Sequence, residues 1–338
     1  MIRTLLCCIL LLVMGSCKKH GQVHTAFYYW KTVLQLNDME TELLHTAADK
    51  QLYLRFFDVV WNEQARQSLP DGLLAVKQSL RGIHITPVIY ITNQALTYTR
   101  PAETDSLAAK VNRLLSRLTS EQGIQYQNVQ IDCDWSVSTK TTYFAFLRAF
   151  KRYSGKKLEA TIRLHQIKYP ERTGVPPVDK GLLMFYNMGK ISADLNAPNS
   201  IYNEKDATAY TAAIPYYQLP LDVALPVFSW AIQIREGKIQ QLYAKLGMAD
   251  LSNPANFRPV SAHVFKALKS FYLKGLYIKN GDLFKFEGMD AESLEQAARQ
   301  VSKYLAPMEN RHIIYYEISS TSLLPLYAKD IKEISAHF

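Results

Sequence analysis

The chain has 338 residues, a formal charge of +9, 48% hydrophobic residues and four cysteines. A chain of that length can bury a sizeable core without a disulfide framework, and one domain or two would fit it. Basic residues such as Lys151, Arg152, Lys156 and Lys157 are scattered through helix-like segments, not gathered in an arm, and no nucleic-acid motif accompanies them; they read as solvated faces that favour an anionic membrane surface or acidic polymer, and no nucleic-acid partner is expected.

The chain opens MIRTLLCCILLLVMGSC: one basic residue, an apolar run of about a dozen, then small residues before Cys17. A spanning helix needs roughly 20 apolar residues, so this run fits the core of a signal peptide instead. Val13-Met14-Gly15-Ser16-Cys17 resembles the lipobox of bacterial lipoproteins. That resemblance implies a signal peptide over residues 1–16, acylation of Cys17, a tether over 17–24 and a protein held to a membrane of the bacterial cell envelope. Once Cys7 and Cys8 are removed, Cys133 is the one cysteine left beside Cys17, and no intramolecular disulfide is available.

Apolar, β-branched and aromatic runs then recur between helical or loop segments. TAFYYWK (25–31), LYLRFFDVVW (52–61), ITPVIYIT (85–92) and NVQIDCDWS (128–136) read as the first four strands. LEATIRLHQ (158–166), GLLMFYNMG (181–189), VALPVFSWAI (223–232) and HIIYYEIS (312–319) read as the next four. Helices are predicted over NDMETELLHTAADK with Asn37 or Asp38 as N-cap, over LLAVKQSLR (73–81), over TDSLAAKVNRLLSRLTSEQG, over TTYFAFLRAFKRYSG closed by Gly155, and over 204–217. The link between the fifth and sixth strands is short, proline-containing and weakly helical, while residues 247–310 are too long for one helix and predict an inserted subdomain. Strand and helix alternate throughout, which predicts an α/β fold: a (β/α)8 TIM-like barrel, residues 25–338, with an insertion before the last strand. A doubly wound open sheet loses because WKTVLQLND, after the first strand, has no glycine for a phosphate turn.

Barrel sites form at the carboxyl ends of the strands. There the sequence places Trp30, Asp58, Trp61, Asp132, Asp134, Trp135, Arg163, His165, Tyr186, Asn187, Trp230, Tyr315 and Glu317. The period of two predicts that Asp132 and Asp134 both face the interior, about 6.6 Å apart along the strand, with Ile131 and Cys133 toward the helices. Carboxylates at that range couple, and one holds its proton more tightly than a free aspartate. Cys133 reads as a small buried apolar residue, not a nucleophile. The four tryptophans, with Tyr186, predict a carbohydrate cleft: indoles stack on the CH faces of sugars while acids, amides and arginine satisfy hydroxyls. Asp132, Asp134 and His165 could converge on a cation, but no HxH or HExxH spacing supports a metal, and no Gly-x-Ser-x-Gly supports a serine nucleophile. No cofactor is expected.

Ile131-Asp132-Cys133-Asp134-Trp135 resembles the fourth-strand signature of the chitinase-type barrels of glycoside hydrolase family 18. Met184-Phe185-Tyr186-Asn187 is similar to that family's sixth-strand Met-x-Tyr-Asp/Asn, and Trp230 loosely matches its late-strand tryptophan under the sugar subsite. The resemblance implies substrate-assisted hydrolysis, in which an N-acetyl group attacks the anomeric carbon, Asp134 orients it and Tyr186 helps. The family's proton-donor glutamate follows Asp-x-Asp-Trp directly; here that residue is Ser136, which cannot protonate a glycosidic oxygen. The chain also resembles a bacterial exported branch of such barrels that keeps Asp-x-Asp and lacks the glutamate. The expectation is an exported, membrane-anchored glycoside hydrolase-like protein acting on a polysaccharide or glycan. Asp132, Asp134, Glu317 and Asp58 are the candidate catalytic carboxylates. Trp30, Trp61, Trp135, Arg163, His165, Tyr186, Asn187, Trp230 and Tyr315 are the candidate substrate contacts. A non-catalytic glycan-binding lipoprotein and a protein-partner scaffold are the alternatives.

Overall fold

The computed structural model describes residues 21–244, 246–318, 326 and 328–338; the signal-peptide and Cys17 lipidation expectations fall outside the described residues. Eight parallel strands form the centre: β1 (Gln22–Tyr29), β2 (Gln51–Asn62), β3 (His84–Ile91), β4 (Asn128–Asp132), β5 (Lys157–Ile162), β6 (Lys180–Met184), β7 (Leu221–Pro226) and β8 (Asn310–Tyr316). Each pairs with the next in sequence, and β1 pairs with both β2 and β8, which closes the sheet into a (β/α)8 TIM-like barrel. Closure removes every sheet edge from the ring.

The helices that shield the barrel follow local chemistry. In α1 (Asp38–Thr46), Asn37 accepts from the Glu40 amide at 2.9 Å and Glu40 returns to the Asn37 amide at 3.0 Å, a reciprocal capping box. α2 (Thr104–Glu121) buries Leu107, Ala108, Val111 and Leu115 at helical spacing. α3 (Lys140–Ser154) buries Tyr143, Phe146, Leu147 and Phe150, carries Lys151 and Arg152 in its last turn, and stops at Gly155 with φ +61°. α4 (Glu204–Thr211), α5 (Ala291–Ser302) and α6 (Ala328–Ser335) continue the outer layer.

Three expectations change. Residues 73–81 are not helical: the amides of Leu74, Ala75 and Lys77 donate instead to the carbonyls of Phe56, Thr32 and Leu34 at 2.8–2.9 Å. A hairpin strand, Gln67–Asp71, precedes them, running antiparallel to β2. The predicted seventh strand ends at Pro226, and Trp230 starts a different sheet. That sheet runs from Trp230 to Glu287, antiparallel and five-stranded with an added hairpin, and packs its own core of Tyr243, Phe257, Phe265 and Phe284. The insertion therefore begins and ends earlier than 247–310. Residues 291–302 belong to the barrel, because α5 buries Leu294, Ala297, Ala298 and Val301 in the main core.

Candidate ligand site at the barrel mouth

Even-numbered residues carry the interior of most strands. Near the amino-terminal end, Tyr28 donates to Gln130 Oε1, and Gln130 donates to Glu159 at 3.3 Å. Lys180 pairs with Asp222 and lies 3.8 Å from Glu159, and the His312 amide donates to Asp222 at 2.8 Å. Steps of two along the same strands lead to Trp30, Asp132, Tyr186, Phe228 and Tyr316 at the carboxyl end.

Asp132 is the buried member of the aspartate pair, 3% exposed. Thr161 Oγ1 donates to it at 2.6 Å, and the Arg163 guanidinium lies 3.7 Å away. Burial raises its pKa; Arg163 and Thr161 oppose that shift, while Asp134 and Asp58 add to it. Asp134 is exposed, because β4 ends at Asp132 and the chain turns into a loop. Arg163 stays firmly charged: burial disfavours its charge, but Asp132, Tyr186 and Asp134 more than offset that.

Aromatic rings form the walls. Tyr316 is the hub, 5.4 Å from Tyr28, 5.8 Å from Trp30, 5.8 Å from Tyr186 and 5.9 Å from Phe228 between ring centroids. Only the Tyr186 pair is stacked, at 26°; the others are edge-on, the arrangement that ring quadrupoles favour. Trp30 also meets Tyr90 at 6.3 Å, and the Arg55 guanidinium sits 5.8 Å over its indole. Burial raises the phenol pKa of both Tyr186 and Tyr316.

The sequence-predicted residues thus divide. Trp30, Asp132, Arg163 and Tyr186 come together at the mouth with Tyr28, Tyr90, Phe228 and Tyr316, which the sequence reading missed. Asp58 reaches the interior through a bulge in β2 at Phe56, which shifts the phase so that Arg55 and Asp58 meet. Arg55 clamps it at 2.7 and 2.5 Å. Glu317 accepts from the Trp30 amide at 3.2 Å; burial raises its pKa, and Lys31 opposes. Tyr315 is corrected outright: it is 0% exposed and faces α6, bonded to the Ile331 carbonyl and the Ser335 hydroxyl. Trp135 is likewise 1% exposed, donates to the Thr173 carbonyl at 2.9 Å and stacks on Tyr143 of α3, so no face is open to a ligand. Cys133 is buried as expected.

Trp61 lies on the other face of the bulged β2, packed on Tyr98 at 4.9 Å. His165 is exposed on the short helix Leu164–Lys168. Asn187 is exposed with φ +55°, and its amide donates to the Ile201 carbonyl at 2.8 Å. Trp230 touches Phe228 at 5.4 Å and donates to Glu287 at 3.0 Å, joining the mouth to the insertion. Beyond Phe228 opens a cavity of about 1060 Å³ between the insertion sheet, residues 195–204 and the first turns of α5. Ser136 is committed within its loop: its hydroxyl lies 2.8 Å from Ser138 and 3.2 Å from Thr139. Among the described residues, no group of three His, Cys, Asp or Glu side chains is placed to hold a metal ion, and no helix is long and apolar enough to cross a membrane.

No protein-family model and no curated protein matches the chain. Solved structures do. The spore cortex-lytic enzyme SleL of Bacillus cereus superposes with a TM-score of 0.55 at 12% identity, over 94% of this chain and 74% of that one. A chitinase from Rhizomucor miehei superposes with a TM-score of 0.50 at 11% identity, over 92% of this chain and 99% of that one. At such identities the shared property is the fold, a barrel of the chitinase type.

Proposed function

We propose that this chitinase-type barrel binds a polysaccharide or glycan at its mouth and does not cleave it by the substrate-assisted route. The observation that carries the proposal is the loop after β4. The residue where a proton donor would stand is Ser136, its hydroxyl engaged by Ser138 and Thr139, while the rings around Tyr316 remain assembled at the mouth. A hydroxyl cannot supply the raised-pKa carboxylic acid that departure of a sugar needs. Flat rings at a mouth that also holds the buried Asp132 and the partly open Arg163 suit sugar faces and hydroxyls without any such acid.

Export and a lipid anchor at Cys17 belong to the same proposal and rest on the sequence of residues 1–17. One observation favours a second reading, hydrolysis with Glu317 as acid: its pKa is raised by burial, and its carboxylate sits against the backbone of Trp30. The deciding experiment incubates the purified chain with a panel of polysaccharides, N-acetylated ones included. Retardation in glycan-containing gels without new reducing ends supports binding alone. Reducing ends that vanish in Glu317→Gln overturn it in favour of the second reading, and neither signal removes both.

A further inference from the structure

Arg163 follows the last residue of β5 and is anchored on both sides. Its amide donates to Gln166 Oε1 at 2.7 Å, and Gln166 donates in turn to the Trp135 carbonyl at 3.1 Å. The backbone is fixed, yet the guanidinium is poorly matched. Its NH1 points at the Met184 thioether, a weak acceptor. Its NH2 is 3.7 Å from Asp132 Oδ1, beyond hydrogen-bond distance, and its Nε is buried without a partner. Among the described residues, the guanidinium donates to no oxygen, although 27% of the side chain is open to the mouth.

A permanently charged fork in an aromatic-walled site calls for oxygen acceptors, and a carboxylate fits its plane and its charge at once. We propose that Arg163 clamps the carboxylate of an acidic sugar, so that the preferred ligand is a glycan bearing carboxylates and not an uncharged N-acetylglucosamine polymer. This inference rests on the glycan-binding reading and narrows it. The groups facing Arg163 leave room for an anion. Asp58 is neutralised by Arg55 and Asp134 is exposed. Asp132 is the close competitor, and Tyr28 and Tyr186 add no charge at neutral pH. Protonation of Asp132, eased by its burial, frees the guanidinium further, so acidic-sugar binding strengthens as pH falls until the ligand's own carboxylate protonates.

The test measures calorimetric binding to the full-length protein at low and high salt. The probes are an alternating N-acetylglucosamine–N-acetylmuramic acid oligomer, the same oligomer with its carboxyls reduced to alcohols, a uronic acid oligomer and a neutral N-acetylglucosamine oligomer. The parent should prefer the acidic oligomer over its reduced form by about tenfold, as one charge-assisted pair implies. Arg163→Gln should erase that preference by weakening binding of the acidic oligomer about tenfold more than binding of the reduced form, and Arg163→Lys should restore only part of it. The uronic acid oligomer tells whether the carboxylate must hang from the ring or from a lactyl arm. Thermal melts establish that both variants fold. Equal parent affinity for acidic and reduced oligomers, or a preference that survives in Arg163→Gln, overturns the clamp and leaves glycan binding intact. Absence of binding to every probe overturns the glycan-binding reading and the clamp with it.

Discussion

Tyr316→Ala removes the ring on which the mouth is assembled. Its four aromatic neighbours lie at centroid distances of 5.4–5.9 Å. Each such pair is worth about 0.5–1.5 kcal/mol beyond area burial, but pairs sharing one ring do not add. Full truncation of a buried aromatic costs about 3–5 kcal/mol, and Tyr316 is only part-buried, so about 2–3 kcal/mol of stability is the expected loss. For a chain of 338 residues that lowers the melting temperature by roughly 3–4 °C, measurable by calorimetry. Glycan affinity should fall by at least about tenfold, since the stacking face and the edge contacts that orient Trp30 and Tyr186 disappear together. Tyr316→Phe keeps the ring and should stay within about 1 kcal/mol in stability and a few-fold in affinity. A folded Tyr316→Ala protein that binds glycan as the parent does would refute the mouth as the site. A Tyr316→Phe protein as damaged as Tyr316→Ala would show that the hydroxyl, not the ring, carries the effect.

Trp135→Phe should separate packing from binding: losing the indole bond to Thr173 and part of the contact with Tyr143 costs about 1–3 kcal/mol in a denaturant titration, with glycan affinity unchanged. Asp132 has its folded-state pKa raised by burial, so the folded protein binds more protons than the unfolded one between the ordinary aspartate value and the raised one. The contribution of this group is therefore fully present below the ordinary value and is lost as pH rises through the raised value. Asp132→Asn should flatten that segment of the stability–pH curve and, if the buried charge is costly, make the variant relatively more stable above it. Glu287→Gln leaves Lys285, 5% exposed, without its carboxylate at 2.9 Å and weakens the acceptor for Trp230 and Ser200. The expected cost is about 3–5 kcal/mol, read in a thermal melt.

Much of this protein follows from local chemistry that survives in one dimension. Eight β-rich runs alternating with amphipathic helices, Asn37 before α1 and Gly155 after α3 are all visible in the sequence, because periodicity and capping act within a few residues. Residues 73–81 misled because their apolar side chains fit a helix, while the backbone amides found better-placed carbonyls on neighbouring segments that are distant in sequence.

The mouth divides along the same line. The period of two groups residues by face, but it does not say which face is inward when both carry the same residue type. In β8 both candidates are tyrosines; pairing with β1 and β7 turned Tyr316 inward and gave Tyr315 to α6. In β2 a single bulge moved Asp58 into phase with Arg55, and no residue pattern announces a bulge made against β3. The Asp-x-Asp of β4 marked the site in the sequence, yet the strand's end at Asp132 gave one carboxylate to the core and the other to solvent. Side-chain chemistry by itself determined that this is a barrel with polar, aromatic strand ends. Which rings and charges share one space was decided by register and strand termination, since both depend on hydrogen bonds to partners far away in the chain.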